Sequence, residues 1–287
     1  MSLLSAEDVR IDVDGVPACD GITFRTTGER VLVLGAPRAL ALGAAGVVPT
    51  ARGRLTIRGV DAVTAAKERN AAGAALDPPL PPKWTVREYI EWSARLSGLD
   101  KATAKSNATD ALTRLQLGAL EKGTLEGLPP HAKRALVLAA AVATGAPVLL
   151  VEDPLTGLPE EIARSYAQIL LDALRDRAWV IFAARMPLTS PLALQADEAI
   201  VASSSRVEAQ GPPAELAAAS SRYVARVHGA MENLAAQLQG RGVGVEMQGG
   251  QVLFDLRGVM SAGELVAMCA AADVAVVELV PVARALT

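Results

Sequence analysis

The stretch that most constrains the fold is ALVLAAAVATGAPVLLV, residues 135–151. Read as one helix it would be a candidate membrane span. It is a little short for that, and Gly145-Ala146-Pro147 interrupts it where a helix would stop. The spacing therefore predicts a helix (131–144), a tight turn and a buried strand (VLLVED). A strand that is apolar on both faces and follows a helix belongs to a parallel sheet covered by helices. Comparable runs recur at GERVLVLG (28–35) and WVIFAA (179–184). Helical patterns lie between them at TVREYIEWSARLSGL (85–99), 102–120 and 159–177. In the first of these Thr85 can cap, Glu88 stands three residues on, and Val86, Ile90 and Leu96 share a face. The fold class expected is α/β. A chain that is 51% hydrophobic but only 3% aromatic suits an aliphatic α/β interior better than a β-sandwich.

Shorter strands precede this pattern: VRIDV and ITFRT, with turns at Asp14-Gly15 and Thr27-Gly28, then GRLTIRGVDA. Residues 71–83, with the cluster DPPLPPK, read as loop. EAIVAS and RVEAQG read as a hairpin-like pair. Composition shifts after about residue 218. There the pattern predicts a helix (222–240), a hairpin (GVGVEMQGGQVLFDLRG) with a Gly-Gly turn, a helix (261–272) and a strand (VAVVELVPV). The expected division is a domain over 1–218, with a helical subdomain at about 84–144, and a small α+β domain over 219–287. No internal repeat is seen.

Bulk properties exclude several classes. The net charge of −3 and pI of about 5.6 leave no basic surface for nucleic acid. Cys19 and Cys269 lie far apart without metal-ligand spacing, and read as buried or incidental thiols of a reducing compartment. The opening MSLLSAEDVRIDVDG lacks a basic segment followed by an apolar one, so no signal peptide is expected.

The stretch VLVLGAPRALALGAAGVVP (31–49) begins as a phosphate-binding loop does, with a buried strand and Gly35. Such a loop then needs glycines, so that backbone N–H groups can curl round phosphate, a Lys for the β/γ-phosphates and a Ser/Thr for Mg²⁺. Here Gly35 and Gly43 remain, but no lysine precedes Lys67. Arg38 is the nearby cation. Its planar fork does not replace a lysine in a tight backbone cradle, so a solvated or ion-paired arginine is the favoured reading.

Several stretches, in order over about residues 8–218, resemble the ATPase subunits of ATP-binding cassette (ABC) transporters. They are GERVLVLG, AAGVVPTARGRLTIRGVD, DPPLPPKWTVREYIEWSARLSGL, TLEGLPPHAKRALVLAAAVATGAPVLLVEDPLTGLP and ADEAIVASSSRVEAQGPPAEL. The tail resembles the small C-terminal domain of ATPases serving ABC-2-type exporters, though without their closing LEDVF. The resemblance implies a P-loop NTPase-like ABC fold, and it implies site positions that this chain fills atypically. The adenine-stacking aromatic is missing before Gly15, where Val13 and Asp14 stand. The Q-loop glutamine falls at Leu76 or Asp77. The signature, usually LSGGQ, reads Leu125-Glu126-Gly127-Leu128-Pro129, with a carboxylate where phosphate would lie and a proline that removes a donor. The switch histidine falls at Arg185, and the chain's histidines are His131 and His228. Walker B places Glu152 at the Mg²⁺-linked Asp and Asp153 at the catalytic Glu, and the D-loop aspartate is Pro159. Two acids without the lysine imply an uncompensated negative site that disfavours ATP. Capping and turn structure at the strand end is the favoured reading of this pair.

The expectation is a pseudo-ATPase without ATP or Mg²⁺. It would be peripheral on the cytoplasmic face of the membrane and bound to an integral membrane permease, with an active ABC ATPase chain or a second copy as further partner. In the family, the segment near TVREYIEW receives the permease's coupling helix. Tyr89 and Trp92 are the candidate anchors, with packing inside the helical subdomain as the equal alternative. Two other readings are an ATP-binding ATPase using Arg38, Glu152, Asp153 and Arg185 in altered roles, and a soluble protein-binding platform without a membrane partner. For residues 36–46 a collapsed loop filling the phosphate pocket is preferred to a shortened helix.

Overall fold

The computed structural model describes residues 2–36, 38–68, 71–219, 222–229, 231–248, 251–256 and 259–281. The chain divides into two compact units, 1–184 with 190–212, and 185–189 with 213–287.

The first unit opens with the hairpin β1 (Leu4–Val13) and β2 (Val16–Arg25). Its turn residues, Asp14 and Gly15, have φ of +52° and +77°, as a two-residue turn matched to strand twist requires. Then come β3 (Arg30–Leu34), α1 (Arg38–Ala44), β4 (Arg52–Ile57), β5 (Val60–Asp61), α2 (Ala62–Lys67) and β6 (Gly73–Ala75). The helical subdomain holds α3 (Val86–Leu96), α4 (Lys101–Arg114) and α5 (Pro130–Ala143). The unit closes with β7 (Val148–Glu152), α6 (Glu160–Leu174), β8 (Ala178–Ala183), β9 (Glu198–Ala202) and β10 (Val207–Gly211).

These strands form two sheets. The antiparallel one has the order β2-β1-β4-β5, and the other runs β10-β9-β3-β8-β7-β6, parallel except for the β10 edge. The broken apolar run behaves as expected: α5 ends at Ala143, Gly145 adopts φ +77°, and β7 enters the sheet with Val148–Val151 buried. Beside it, β3 and β8 pair Leu32 with Ile181. One apolar cluster joins Ile11, Ile22 and Leu55 of the antiparallel sheet to Val31, Val33 and Phe182 of the parallel one, with Leu40 of α1 in it. Thr85 and Glu88 form a reciprocal capping box that starts α3.

In the second unit α7 (Pro213–Ala219) is followed by β11 (Arg222–His228), α8 (Met231–Gly240), β12 (Gly244–Gln248), β13 (Gln251–Asp255), α9 (Ala262–Ala271) and β14 (Ala275–Pro281). The sheet order β12-β13-β11-β14, antiparallel throughout, together with the order βαββαβ is the ferredoxin-like arrangement. Its core includes Ala225, Leu234, Leu238, Phe254, Leu265 and Cys269.

Three readings are corrected. Residues 222–228 form a strand rather than the start of a helix, because Ala225 faces the core while Arg222 and Arg226 face out. Gly73–Ala75, read as loop, adds an edge strand beside β7, and a Cβ on Gly73 would lie 2.6 Å from the Ala141 carbonyl oxygen. Residues 38–44 form a short helix, not a collapsed loop. The expected Gly249-Gly250 turn and the VARALT end lie outside the described residues.

Candidate functional site

The site is built where β3 and β7 end. Residues 35–37 separate β3 from α1, fewer than the G-x-x-x-x stretch that precedes the helix-opening G-K-[ST] of a phosphate cradle. Gly35 has φ +70°, and its N–H donates to the Ala183 carbonyl at 3.1 Å. A Cβ there would lie 2.8 Å from the Ala202 carbonyl oxygen. Backbone packing against β9 therefore explains this glycine without phosphate. Gly43 is buried on α1, where a Cβ would lie 2.5 Å from Ile11 Cδ1. The helix buries Ala39, Leu40, Ala41 and Ala44 as well, because ALALGA has no polar side chain to turn outward.

Arg38, the first residue of α1, reaches across to β7. Its Nε lies 2.5 Å from Glu152 Oε1, and the Glu152 side chain is 8% exposed against 55% for Arg38. Glu152 Oε2 also accepts the Asp77 N–H at 3.4 Å. Glu152, the carboxylate that the resemblance places at Walker B, is thus compensated by an arginine, which corrects the expectation of an uncompensated negative site. Its role is an ion pair rather than a turn.

Asp153 behaves differently. It has φ +37°, and its N–H donates to the Phe182 carbonyl at 2.8 Å. Its Oδ1 accepts the Ala184 N–H at 2.9 Å and the Thr156 hydroxyl at 3.0 Å. These bonds tie the ends of β7 and β8 together and shape the following turn, in keeping with the turn reading. Arg185 is exposed and groups with the second unit.

The signature segment faces the same cleft of about 680 Å³, which Arg38, Asp77, Glu152 and Asp153 line from the sheet side. Leu125–Gly127 is a single 3₁₀ turn, followed by Leu128 and Pro129 at the entry to α5. The Leu125 and Glu126 N–H groups donate to the carbonyls of Trp84 (2.9 Å) and Pro82 (3.2 Å). Pro129 caps α5 with no side-chain hydrogen bond, and Pro130 in its first turn has no N–H. Glu126, Lys133 and Arg134 line the cleft here. Arg134 donates to the Pro154 carbonyl at 3.5 Å and to the Thr156 carbonyl. Tyr166 is 4% exposed at the base, and burial pushes its hydroxyl pKa upward against the smaller opposing effect of Arg134. Among the described residues no group of three or more His, Cys, Asp and Glu is placed to hold a metal ion.

The two anchor candidates on α3 separate. Tyr89 is half-buried, which pushes its hydroxyl pKa up. Trp92 is 46% exposed and Leu96 is 62% exposed. Trp84, not singled out from the sequence, meets Trp92 edge to face with ring centroids 5.3 Å apart. A groove of about 820 Å³ runs past Trp84, Trp92 and Leu96, with Lys83, Glu88, Glu91 and Arg95 at its sides. An aromatic directly before the Thr85 cap is the signal that could have found Trp84.

No family model matches the chain. It is 26% identical over 216 residues to the energy-coupling factor transporter ATP-binding protein EcfA of Methanothermobacter thermautotrophicus, covering 71% of this chain and 68% of that one. It is 27% identical over 191 residues to the cytochrome c biogenesis ATP-binding export protein CcmA of Paracoccus denitrificans, covering 67% and 86%. Among solved structures, cbiO1 from Clostridium perfringens, part of an ABC transporter complex, aligns with a TM-score of 0.61 at 19% identity, over 75% of this chain and 90% of that one. An ATP-binding subunit of an ABC transporter aligns with a TM-score of 0.60 at 15% identity, over 93% and 98%. The chain therefore has the fold of the ABC ATPases, and in sequence it is similar to the ATP-binding proteins of membrane transporters.

Proposed function

We propose that this chain is a nucleotide-binding-type subunit of a membrane exporter complex that does not hydrolyse ATP and acts as a scaffold or coupling element. The observation that carries the reading is the Arg38–Glu152 ion pair behind a connection of only residues 35–37. The residues present do not fit MgATP. The cradle is too short to surround phosphates, no lysine follows β3 in it, and the carboxylate at the Mg²⁺-linked position is held by arginine. The signature amides of residues 125 and 126 are spent on backbone carbonyls. Each half of a sandwiched ATP site is affected, so neither a homodimer nor a heterodimer gains a normal site from this chain.

The partner would be an integral membrane permease docking on α3, with an active ABC ATPase chain or a second copy opposite. The relatives, a transporter ATP-binding protein and an export ATP-binding protein, support this class. No helix among the described residues is long and apolar enough to cross a membrane, so attachment would be through that permease, on the cytoplasmic side. Calorimetry with Mg²⁺ and ATP on the purified chain tests the reading, and saturable micromolar binding overturns it.

A second reading keeps ATP. It is favoured by the place of Arg38, a cation at the first residue of the helix after β3 and beside Glu152 and Asp153. On this reading ATP displaces Glu152 from Arg38, and steady hydrolysis is measurable and lost in Asp153→Asn.

A further inference from the structure

The chain leaves β6 for α3 through DPPLPP (77–82), and no glycine stands between Gly73 and Gly98. Each proline fixes its own φ, and the residue before a proline is pushed into extended backbone. Asp77, Pro78, Leu80 and Pro81 all precede a proline. None of residues 76–84 has a positive φ. Such a run is an extended polyproline segment of about 3 Å per residue, which acts as a semi-rigid spacer rather than a hinge.

Both ends of the run are fastened. At the sheet end the Asp77 N–H donates to Glu152 Oε2 at 3.4 Å, and β6 pairs with β7. At the helical end the carbonyls of Pro82 and Trp84 accept the Glu126 and Leu125 N–H groups at 3.2 and 2.9 Å. The Val86 and Arg87 N–H groups donate to the Gly123 and Glu121 carbonyls, each at 3.1 Å, and Arg87 Nε pairs with Glu121 Oε1 at 2.6 Å. The return crossing from α5 to β7 is tied as well. Asn107 of α4 donates to the Ala143 carbonyl at 3.0 Å, and Arg177 to the Ala146 carbonyl at 2.9 Å. Arg134 makes a third tie, from α5 to the Pro154 and Thr156 carbonyls in the turn after β7.

We infer that residues 77–82 are a strut that, with Arg134, holds α3, α4 and α5 at a fixed distance from the sheets. A load taken up at Trp84 and Trp92 in the α3 groove is delivered to Glu152 at the end of β7, because no hinge lies between to absorb it. Pro78, Leu80 and Pro82 line the cleft of about 680 Å³, so the strut also sets its width. What the strut transmits rests on the reading of the chain as a coupling element, but its stiffness does not. Stiffness is read without nucleotide or permease, so its failure is distinct from saturable ATP binding, which would overturn that reading.

Spin labels at Ser106→Cys on α4 and Ser205→Cys between β9 and β10, both exposed and both in the first unit, report the distance by pulsed electron resonance. Cys19 and Cys269 are buried, and the chain without the added cysteines gives the labelling background. One narrow distance distribution is expected. Pro79→Gly/Pro82→Gly, at two exposed prolines, is expected to broaden it about twofold or more, as a flexible coil replaces the spacer. Pro79→Gly alone is expected to act in the same direction and serves if the double variant does not fold. Arg134→Gln, which breaks the tie to the turn after β7, is also expected to broaden the distribution. A broad or two-peaked distribution without these substitutions overturns the inference. So does an unchanged width in the glycine variants or in Arg134→Gln.

Discussion

Arg38 Nε lies 2.5 Å from Glu152 Oε1, joining the first residue of α1 to the last of β7. The pair lines the cleft of about 680 Å³ beside Asp77 and Asp153. Glu152 is nearly buried and Arg38 more than half exposed, so removing the arginine strands a carboxylate in a poorly hydrated place. Arg38→Ala is expected to destabilise the chain by about 1–2 kcal/mol, discounted for the exposure of Arg38. The double variant Arg38→Ala/Glu152→Gln is expected to be more stable than Arg38→Ala alone, by urea denaturation. Equal stability of the two would show that the pair is not coupled.

Gly35 separates backbone need from ligand need. Gly35→Ala combines φ +70° with a Cβ 2.8 Å from a carbonyl oxygen that cannot easily move. A loss of about 1–3 kcal/mol is expected, with no nucleotide present. Gly43→Ala meets a movable Ile11 methyl and gains helix propensity, so its cost is expected to be smaller. Thermal denaturation of the two variants ranks them.

Acid stability is expected to depend on Asp197 and Glu121. Burial pushes the Asp197 carboxyl up, but hydrogen bonds from Arg30 and from the Arg30 and Glu29 amides outweigh it and hold it below its ordinary value. The Arg87 guanidinium, by hydrogen bond and charge, holds Glu121 low. Folded values below unfolded ones mean that both contribute above the ordinary carboxylate range, and that the contribution fades as pH falls through the folded values. Asp197→Asn is therefore expected to lower stability at neutral pH and to flatten the acid limb of a urea-midpoint profile. A limb as steep as that of the unaltered chain would remove Asp197 from the account.

Trp92→Ala tests the α3 groove. The residue is 46% exposed and, among the described residues, its ring contact is Trp84, so about 1 kcal/mol or less of stability is expected to be lost. Recovery of a permease from detergent-solubilised membranes is expected to fall severalfold, as for an aromatic interface anchor. Unchanged recovery would place the membrane partner elsewhere, and soluble partners alone would favour a platform without one.

Much of this was legible in local sequence. Gly145-Ala146-Pro147 separated α5 from β7, Thr85 and Glu88 announced a capping box, and Asp14-Gly15 announced a two-residue hairpin turn. What failed needed distant partners. RYVARVH is set off from the helix that follows it by a single glycine, Gly229, and its pairing with β13 and β14 makes it a strand. Gly73–Ala75 is a strand because β7 offers it an edge. ALALGA becomes a helix because both sheets supply an apolar surface for it. The ion pair joining Arg38 to Glu152, 114 residues away, follows from the topology and not from spacing.

The central claim is that the stretch after β3 no longer serves a nucleotide. Calorimetric titration of the purified chain with Mg²⁺ and ATP tests it most directly, with thermal shift as the check on the same sample. The account predicts no saturable heat and no stabilisation at millimolar ATP. Micromolar binding that disappears in Arg38→Ala would contradict it, and would make Arg38 the successor to the missing lysine.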